Sequence, residues 1–264
     1  MKKAILIILV LSLGFAPLSL LAWGPTGHRI ISEIAERNLT KKASKEINKL
    51  LDDYPMAYWS VWADNIKSDT TGRWKHTYIW HYVNIPGDLQ KEEMVKAVKA
   101  VEQDNVYSVI PQLCKTLESD NLSTEEKRTT LYFLIHLIGD LHQPMHIGRA
   151  EDLGGNRITV YWFGAKTNIH AVWDDNLINY EKYSYTEYTD ILNRLSKEEK
   201  KSVQSGTIED WLFDTYQVSN EIYSSIENED KLSYNYPYKY KRTVEIQLQH
   251  AGLRLAAVLN RIFK

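Results

Sequence analysis

Histidine and aspartate occur four residues apart in two stretches of the sequence. His136 and Asp140 have this spacing in LYFLIHLIGDLHQPMH, and His170 and Asp174 repeat it in NIHAVWDDNLI. Side chains four residues apart lie on one face of an α-helix. A buried imidazole beside a carboxylate is costly without a compensating partner, and Zn²⁺ suits both residue types. One such pair is more often a satisfied core hydrogen bond, but two pairs together with His146, in a chain of eight histidines, indicate a metal site.

The first 22 residues have the layout of a secretory signal peptide, with Lys2 and Lys3 before an apolar run and a small residue at Ala22. The apolar run is also long enough for a membrane anchor. Cleavage after Ala22 makes Trp23 the first residue, and a free α-amino group, with a pKa near about 7.7, can bind a metal together with its own carbonyl oxygen. We therefore expect a cleaved signal over residues 1–22. The mature chain is expected to be a secreted or periplasmic monomer without stable membrane association.

Three further residues are candidate metal ligands. His28 begins an amphipathic helix, Asp64 lies between two tryptophan-rich stretches, and His81 would lie opposite a row of aromatic side chains if its segment were extended. Taken alone, Trp23 is better explained as a buried aromatic residue and His28 as a residue at the start of a helix. His76 is expected to be structural or exposed. His142 lies six residues after His136 and therefore points to roughly the opposite helix face.

Composition restricts the kind of site and of partner. The 264 residues carry a net charge of −2, which excludes an extensive basic surface for nucleic acid, so any contact with a polyanion must be local. Cys114 is the one cysteine, which excludes an intramolecular disulfide and a thiolate zinc cluster. The metal ligands must therefore be His, Asp, Glu or backbone groups.

Hydrophobic periodicity predicts one mostly helical, all-α domain over residues 23–264. Thr40 is expected to cap a helix that reaches Leu51, and Ser123 to open a capping box for the central helix, which Pro144 ends near His142. An alternating stretch predicts a small β-hairpin near residues 153–163. The other expected helices span residues 89–118, 186–198, 203–226 and 240–262.

As a set, the motifs resemble those of the S1/P1 nuclease family of single-strand-specific, trinuclear-zinc nucleases, in a bacterial-type form. The matching pieces are the mature start WGxxGH, WAD, the HY pair at His81, HLIGDLHQPMH, DLGGN and NIHAVWD. The resemblance covers essentially the whole chain after the signal. It implies a helical fold of the kind shared by the zinc phospholipases C and these nucleases, and it implies three Zn²⁺ ions.

The resemblance also implies how the ligands divide among the ions. The implied sets are Asp64, His81, His136 and Asp140 for one zinc, His146, His170 and Asp174 for a second, and the Trp23 amine and carbonyl, His28 and a bridging Asp140 for the third. The implied reaction is attack of zinc-activated hydroxide on phosphorus. The 3′ oxygen leaves, so endonucleolytic cleavage of single-stranded DNA and RNA gives 5′-phosphate products, with 3′-nucleotidase activity on mononucleotides.

Other positions acquire roles by the same resemblance. Asp64 would orient or deprotonate the attacking water, and Lys67 stands where the family usually has an arginine facing the scissile phosphate. Tyr82 corresponds to the base-stacking position, and Asn84 falls where fungal relatives carry an aspartate that reads a base edge. Asn156 of the DLGGN motif is expected to hydrogen-bond substrate or phosphate.

Two other functions fit the same ligand types. Bacterial trinuclear-zinc phospholipases C share the ligand scheme and a terminal tryptophan, and release of phosphocholine rather than nucleotides would identify them. A non-enzymatic extracytoplasmic zinc-binding protein would instead have closed, saturated metal sites and no turnover.

Overall fold

Helices form most of the chain in the computed structural model, which describes residues 23–119 and 121–264. The expected signal peptide lies outside the described residues. The helices are α1 (Pro25–Glu36), α2 (Lys41–Leu50), α3 (Met56–Trp59), α4 (Trp62–Asn65), α5 (Lys91–Lys99), α6 (Val106–Leu117), α7 (Thr124–Asp140), α8 (Ile169–Ala171), α9 (Leu177–Tyr180), α10 (Tyr185–Leu192), α11 (Lys197–Val203), α12 (Ile208–Ser224) and α13 (Asn235–Ile262). The predicted all-α architecture is confirmed.

The central helix α7 is buried all round over its second half, from Thr130 to Asp140. The Ser123 side chain accepts a hydrogen bond from the Glu126 amide, and the Glu126 carboxylate accepts one from the Ser123 amide, which completes the expected capping box. A helix that is apolar on every side must be surrounded by other elements. α1, α4, α6 and α13 pack around it. No helix among residues 23–119 and 121–264 is long and apolar enough to cross a membrane.

Short strands join the segments that follow the histidines. β1 (Val83–Asn84) pairs in parallel with β2 (Ile147–Gly148), with Val83 opposite Ile147 and Asn84 opposite Gly148. β1 follows His81 and β2 follows His146, so this pair brings two distant parts of the sequence together at the C-terminal end of α7. A second sheet has the order β4–β3–β5, where β3 is Thr159–Trp162, β4 is Ala165–Asn168 and β5 is Asp230–Leu232.

The hairpin predicted near residues 153–163 lies further along the chain, at residues 159–168. Gly154 and Gly155 have positive φ angles and form a loop instead of a strand. The turn is made by Phe163 and Gly164, which also have positive φ.

The helix predicted over residues 89–118 is two helices, α5 and α6. Asn105 interrupts it, because its side chain accepts hydrogen bonds from the amides of Tyr107 and Ser108 and so starts α6 afresh. The segment before His81 is a 3₁₀ helix over Lys75–His81 and not an extended strand.

Candidate metal centre

Eight of the predicted ligands form three groups, within each of which one nitrogen or oxygen atom per residue lies within 4.8 Å of the others. The groups are His28, His136 and Asp140; Asp64, His81 and His136; and His146, His170 and Asp174. α1 contributes His28, α4 contributes Asp64, and α7 contributes His136 and Asp140. The other ligands lie in short helical turns: His81 and His146 end the turns Lys75–His81 and Pro144–His146, His170 lies within α8, and Asp174 lies within the turn Val172–Asn176. The fold therefore brings together residues separated by more than 140 positions in the sequence.

Asp140 lies between these groups and is fully buried. Its Oδ2 atom is 2.8 Å from His81 Nδ1 and 3.2 Å from His136 Nε2. Its Oδ1 atom is 3.4 Å from His28 Nε2 and 3.5 Å from His146 Nδ1. Each oxygen thus faces a different pair of imidazoles, which is the arrangement that a bridging carboxylate needs.

Backbone carbonyls orient two of the imidazoles. His136 Nδ1 lies 2.6 Å from the carbonyl oxygen of Ser60, and His170 Nδ1 lies 2.6 Å from that of Gly154. A nitrogen that donates to a carbonyl carries the proton, so the opposite nitrogen keeps its lone pair for a metal. His136 Nε2 and His170 Nε2 accordingly face Asp140 and Asp174.

Several polar atoms in the centre are buried without a hydrogen-bond partner among the described residues. They are both ring nitrogens of His28, Nε2 of His81, Oδ1 of Asp140 and Nδ1 of His146. Buried polar atoms are almost always satisfied, so this concentration of unsatisfied atoms requires an explanation. Nitrogen and carboxylate oxygen donors are the ligands that zinc prefers when thiolates are absent. The residues present therefore fit bound Zn²⁺ ions.

Burial favours the neutral form, which can donate a lone pair to a metal, in three imidazoles of the centre. Burial lowers the pKa of His28, and it lowers the pKa values of His81 and His146 to about 4 and about 3. His136 differs. Burial lowers its pKa, but the carboxylates around it, Asp140 above all, raise the pKa by more, so it lies above the ordinary value. Neutral imidazole is the form that binds metal.

The carboxylates are in two different electrostatic states. Burial raises the pKa of Asp64, but His136 and Lys67 outweigh this effect and bring the pKa to about 2. Asp140 likewise has its pKa held well below the ordinary value by the histidines around it, against the effect of burial. Asp174 differs, because burial raises its pKa well above the ordinary value. A cation at the third group would stabilise the ionised form of Asp174.

The centre is most open at Asp64 and Lys67, whose side chains are 11% and 21% exposed, whereas Asp140 and His136 are fully buried. Lys67 Nζ donates a hydrogen bond of 2.7 Å to Asp64 Oδ1. A positive charge thus lies beside Asp64, the most exposed of the ligands in the three groups.

The predicted substrate-binding residues have different surroundings. Tyr82 is half-buried and directly follows His81. Asn84 lies on β1, its Oδ1 atom is buried without a hydrogen-bond partner in the described chain, and it lies close to Gly154 of the DLGGN loop. The Asn156 amide instead donates to the carbonyl oxygen of Leu153 in its own loop, at 2.9 Å.

Trp23 lies beside the centre. Its side chain is fully buried, and its indole Nε1 donates to the carbonyl oxygen of Gly139, at 2.9 Å. Gly139 in turn makes room for His28, since a Cβ atom there would lie 3.0 Å from His28 Nδ1.

Sequence reasoning missed the residues that hold the ligands in place. Gln143 donates a hydrogen bond to Asp174, and the carbonyl groups of Ser60 and Gly154 orient two histidines. A backbone carbonyl leaves no trace in residue type. Of these three residues, only Gln143 contributes its side chain. Its position within the motif HLIGDLHQPMH is the one signal in the sequence that could have indicated its role.

The helical fold and the buried histidine–aspartate groups define a protein able to hold metal ions, and the comparison with known proteins gives its family. The S1/P1 Nuclease family model matches residues 23–264, and the chain belongs to this family. It is 29% identical to Endonuclease 2 of Arabidopsis thaliana, over 98% of this chain and 97% of that protein. It is 30% identical to Endonuclease 4 of the same plant, over 92% and 90%. It is 28% identical to Nuclease S1 of Aspergillus oryzae, over 91% of each chain.

Membership confirms the resemblance read from the motifs and gives the enzyme class. The protein is a hydrolase of phosphodiester bonds, from a family of zinc-dependent nucleases that act on single-stranded nucleic acid.

Proposed function

We propose that this protein is a zinc-dependent endonuclease that cleaves single-stranded DNA and RNA to 5′-phosphate products and removes the 3′-phosphate of mononucleotides. The observation that carries the proposal is the convergence of three histidine–aspartate groups on Asp140, whose two oxygen atoms face different imidazoles. Multinuclear zinc sites of this kind hydrolyse phosphodiesters by holding both the attacking and the leaving oxygen.

The proposal assigns three zinc ions to the groups. One ion is assigned to Asp64, His81, His136 and Asp140, a second to His146, His170 and Asp174, and a third to His28, Asp140 and the amine and carbonyl of Trp23. The assignment of Trp23 rests on cleavage of the signal peptide after Ala22, because only cleavage produces the free amine. A secreted or periplasmic location follows from the same signal, and we propose a monomer that does not stay attached to the membrane.

Bound zinc supplies a Lewis acid that activates water for attack on phosphorus and neutralises charge on the leaving oxygen. Asp64 is ionised at neutral pH, so it can accept a hydrogen bond from the attacking water and orient it. Both roles expected of Asp64, orienting the attacking water and accepting its proton, require this ionised form. Lys67 Nζ donates a hydrogen bond to Asp64. From this position its positive charge can attract a non-bridging oxygen of the phosphodiester that enters the site.

We assign substrate selection to Tyr82, Asn84 and Asn156. The Tyr82 ring offers a stacking surface, which contributes about 1–3 kcal/mol per base. The buried, unsatisfied Oδ1 of Asn84 can accept a hydrogen bond from a base amino group, and its amide nitrogen can donate one. Asn156 is proposed to contact substrate once its amide leaves the carbonyl of Leu153.

Hydrolysis assays on purified protein beginning at Trp23 test the proposal. We expect nucleotides with 5′-phosphates from single-stranded DNA and RNA, much slower cleavage of duplex DNA, and loss of activity after treatment with a chelator that zinc restores. Zinc-loaded protein that releases no nucleotide would contradict the proposal, and release of phosphocholine from lipid would replace it by a phospholipase C.

A further inference from the structure

The loop of residues 149–156, which contains the DLGGN motif, lies against the metal centre. The carbonyl oxygen of Gly154 is 2.6 Å from His170 Nδ1 and so orients one of the predicted zinc ligands. A Cβ atom at Gly154 would lie 3.5 Å from Asn84 Oδ1, so the same part of the loop also lies beside a predicted substrate-binding residue. The position of this loop therefore affects both a metal ligand and the expected contacts with substrate.

The backbone of the 149–156 loop has a disfavoured conformation. Leu153, Gly154 and Gly155 have successive φ angles of 57°, 63° and 80°. This left-handed region is open to glycine but disfavoured for leucine, whose Cβ atom crowds the backbone. The Leu153 side chain is 44% exposed, so its burial does not account for the conformation. A backbone of this kind persists only where surrounding contacts hold it.

Tyr223, near the end of α12, supplies such a contact. Its hydroxyl group donates a hydrogen bond of 2.8 Å to Asp152 Oδ1, and the same carboxylate oxygen accepts a bond of 2.6 Å from the Gly155 amide. The hydroxyl oxygen of Tyr223 also accepts a bond of 3.3 Å from the Arg149 amide. One hydroxyl group therefore joins the start of the loop to its middle, and it ties both to α12.

Other contacts fix α12 and the Tyr223 ring independently of the hydroxyl group. Ser219, four residues earlier and therefore on the same helix face, donates a hydrogen bond of 2.8 Å to the carbonyl of Ile147 on β2. The guanidinium of Arg149 lies over the Tyr223 ring, 4.3 Å from its centre. Because the ring has this support of its own, removal of the hydroxyl group alone changes the contact with Asp152 and leaves the ring packed.

We propose that Tyr223 is a positioning residue for the metal centre. Its hydroxyl group holds Asp152 and thereby keeps the 149–156 loop in the conformation in which the Gly154 carbonyl orients His170. His170 Nε2 then faces Asp174, 3.3 Å from its Oδ2 atom, within the group assigned to the second zinc. This inference rests on the proposed nuclease function and its zinc assignment, and it gives Tyr223 a role that acts through His170. Loss of a group that orients a metal ligand lowers metal affinity or activity by about 10-fold to 100-fold.

Three variants and a matched control test this role. Tyr223→Phe removes the hydroxyl group and keeps the ring, Asp152→Ala removes its acceptor, and the double variant tests whether both residues act through one contact. Tyr107→Phe is the control, because the Tyr107 hydroxyl also donates to a carboxylate, that of Glu209 on α12, at 3.0 Å, and neither residue belongs to a ligand group. The assay follows the release of zinc from the loaded protein that begins at Trp23 to a colorimetric chelator.

We expect Tyr223→Phe to release one zinc ion about tenfold faster than the wild type does, and to release the other ions at rates within about twofold of the wild type. Anomalous diffraction from crystals soaked briefly in the chelator should show that the lost ion is the one in the His170 group. Tyr107→Phe should match the wild type at every ion, and Tyr223→Phe should cause no further acceleration in Asp152→Ala. Without added zinc, kcat of Tyr223→Phe for single-stranded DNA should fall about tenfold, and excess zinc should restore it.

Equal acceleration of every ion in Tyr223→Phe would overturn the proposal, because a general loosening of the fold would not select the His170 group. Release of zinc at the wild-type rate, or additive acceleration in the double variant, would also overturn it. A wild type that binds zinc but cleaves no single strand would instead contradict the nuclease function, and the rates of zinc release would still decide the role of Tyr223.

Discussion

Two buried polar clusters lie at the C-terminal end of α7, and they differ in what satisfies the imidazoles. His136 faces the metal centre, whereas His142, six residues later, faces α13. His142 Nδ1 donates to the Ile138 carbonyl at 2.8 Å, and Arg254 donates to His142 Nε2 at 3.0 Å. Arg254 also donates to Asp214. Every polar atom of the His142 ring thus has a protein partner.

In the metal centre, the equally buried rings of His28, His81 and His146 each have a nitrogen without a hydrogen-bond partner in the described chain, and all three rings face the Asp140 carboxylate. The difference shows that burial of a histidine does not by itself identify a ligand. What distinguishes the two clusters is the partner of the buried ring nitrogens. Arg254 donates to His142 Nε2, whereas in the metal centre Lys67 donates to Asp64, and the ring nitrogens of His28 have no hydrogen-bond partner in the described chain. We therefore expect the two clusters to respond in opposite ways to substitution.

The largest effect is expected from Asp140→Asn. Asparagine keeps the shape of the side chain but removes the negative charge that both sides of the centre share, so the zinc content should fall. Loss of a group that only supports a metal ligand lowers activity by up to about 100-fold, and we expect kcat of Asp140→Asn to fall by more than this. Zinc analysis and hydrolysis of single-stranded DNA measure both quantities.

Asp214→Asn is the matched control, because it removes the carboxylate that serves Arg254 in the other cluster. It should keep wild-type zinc content and activity. Retention of zinc and activity by Asp140→Asn would show that the two clusters do not differ in the way described.

An intermediate effect on stability, without loss of metal, is expected from His142→Ala. The substitution leaves a buried Arg254 nitrogen without its acceptor and creates a cavity, which together cost about 2–4 kcal/mol. Urea denaturation of the zinc-loaded protein measures the change in the free energy of unfolding. Loss of zinc from the folded variant would make His142 part of the metal centre and refute its structural role.

The smallest effect is expected from His250→Gln, which changes how the stability of the protein depends on pH. Burial and then Arg254 lower the pKa of His250 to about 4, against about 6.5 in an unfolded chain. Between these two values the unfolded state binds a proton that the folded state does not, so stability falls as the pH falls from about 6.5 towards 4. His250→Gln should remove this part of the acid sensitivity, about 1 kcal/mol between pH 7 and pH 5 after allowance for its partial exposure. Denaturation curves of the wild type and the variant at pH 7 and pH 5 measure this difference. An equal loss of unfolding free energy in both proteins would contradict the prediction.

Local spacing was enough to predict much of the centre. His136 with Asp140 and His170 with Asp174 could be recognised because helical periodicity turns a spacing of four into a shared face. Capping by Thr40 and Ser123 was likewise predictable, since a cap is a contact between residues only a few positions apart.

Long-range features could not be predicted in this way. The pairing of Asn84 with Gly148 and the contact of the Ser60 carbonyl with His136 each depend on segments that meet only in the folded chain. The break between α5 and α6 was missed for a different reason, because the apolar periodicity continues through it while the Asn105 cap interrupts the backbone.

The most direct test of the account is to locate the metal ions, by anomalous diffraction at the zinc absorption edge from crystals of the protein that begins at Trp23. We expect three zinc peaks, one within each histidine–aspartate group, and none at the equally buried His142 and Arg254. A peak at His142, or the absence of peaks from the groups around Asp140 in zinc-loaded crystals, would contradict it.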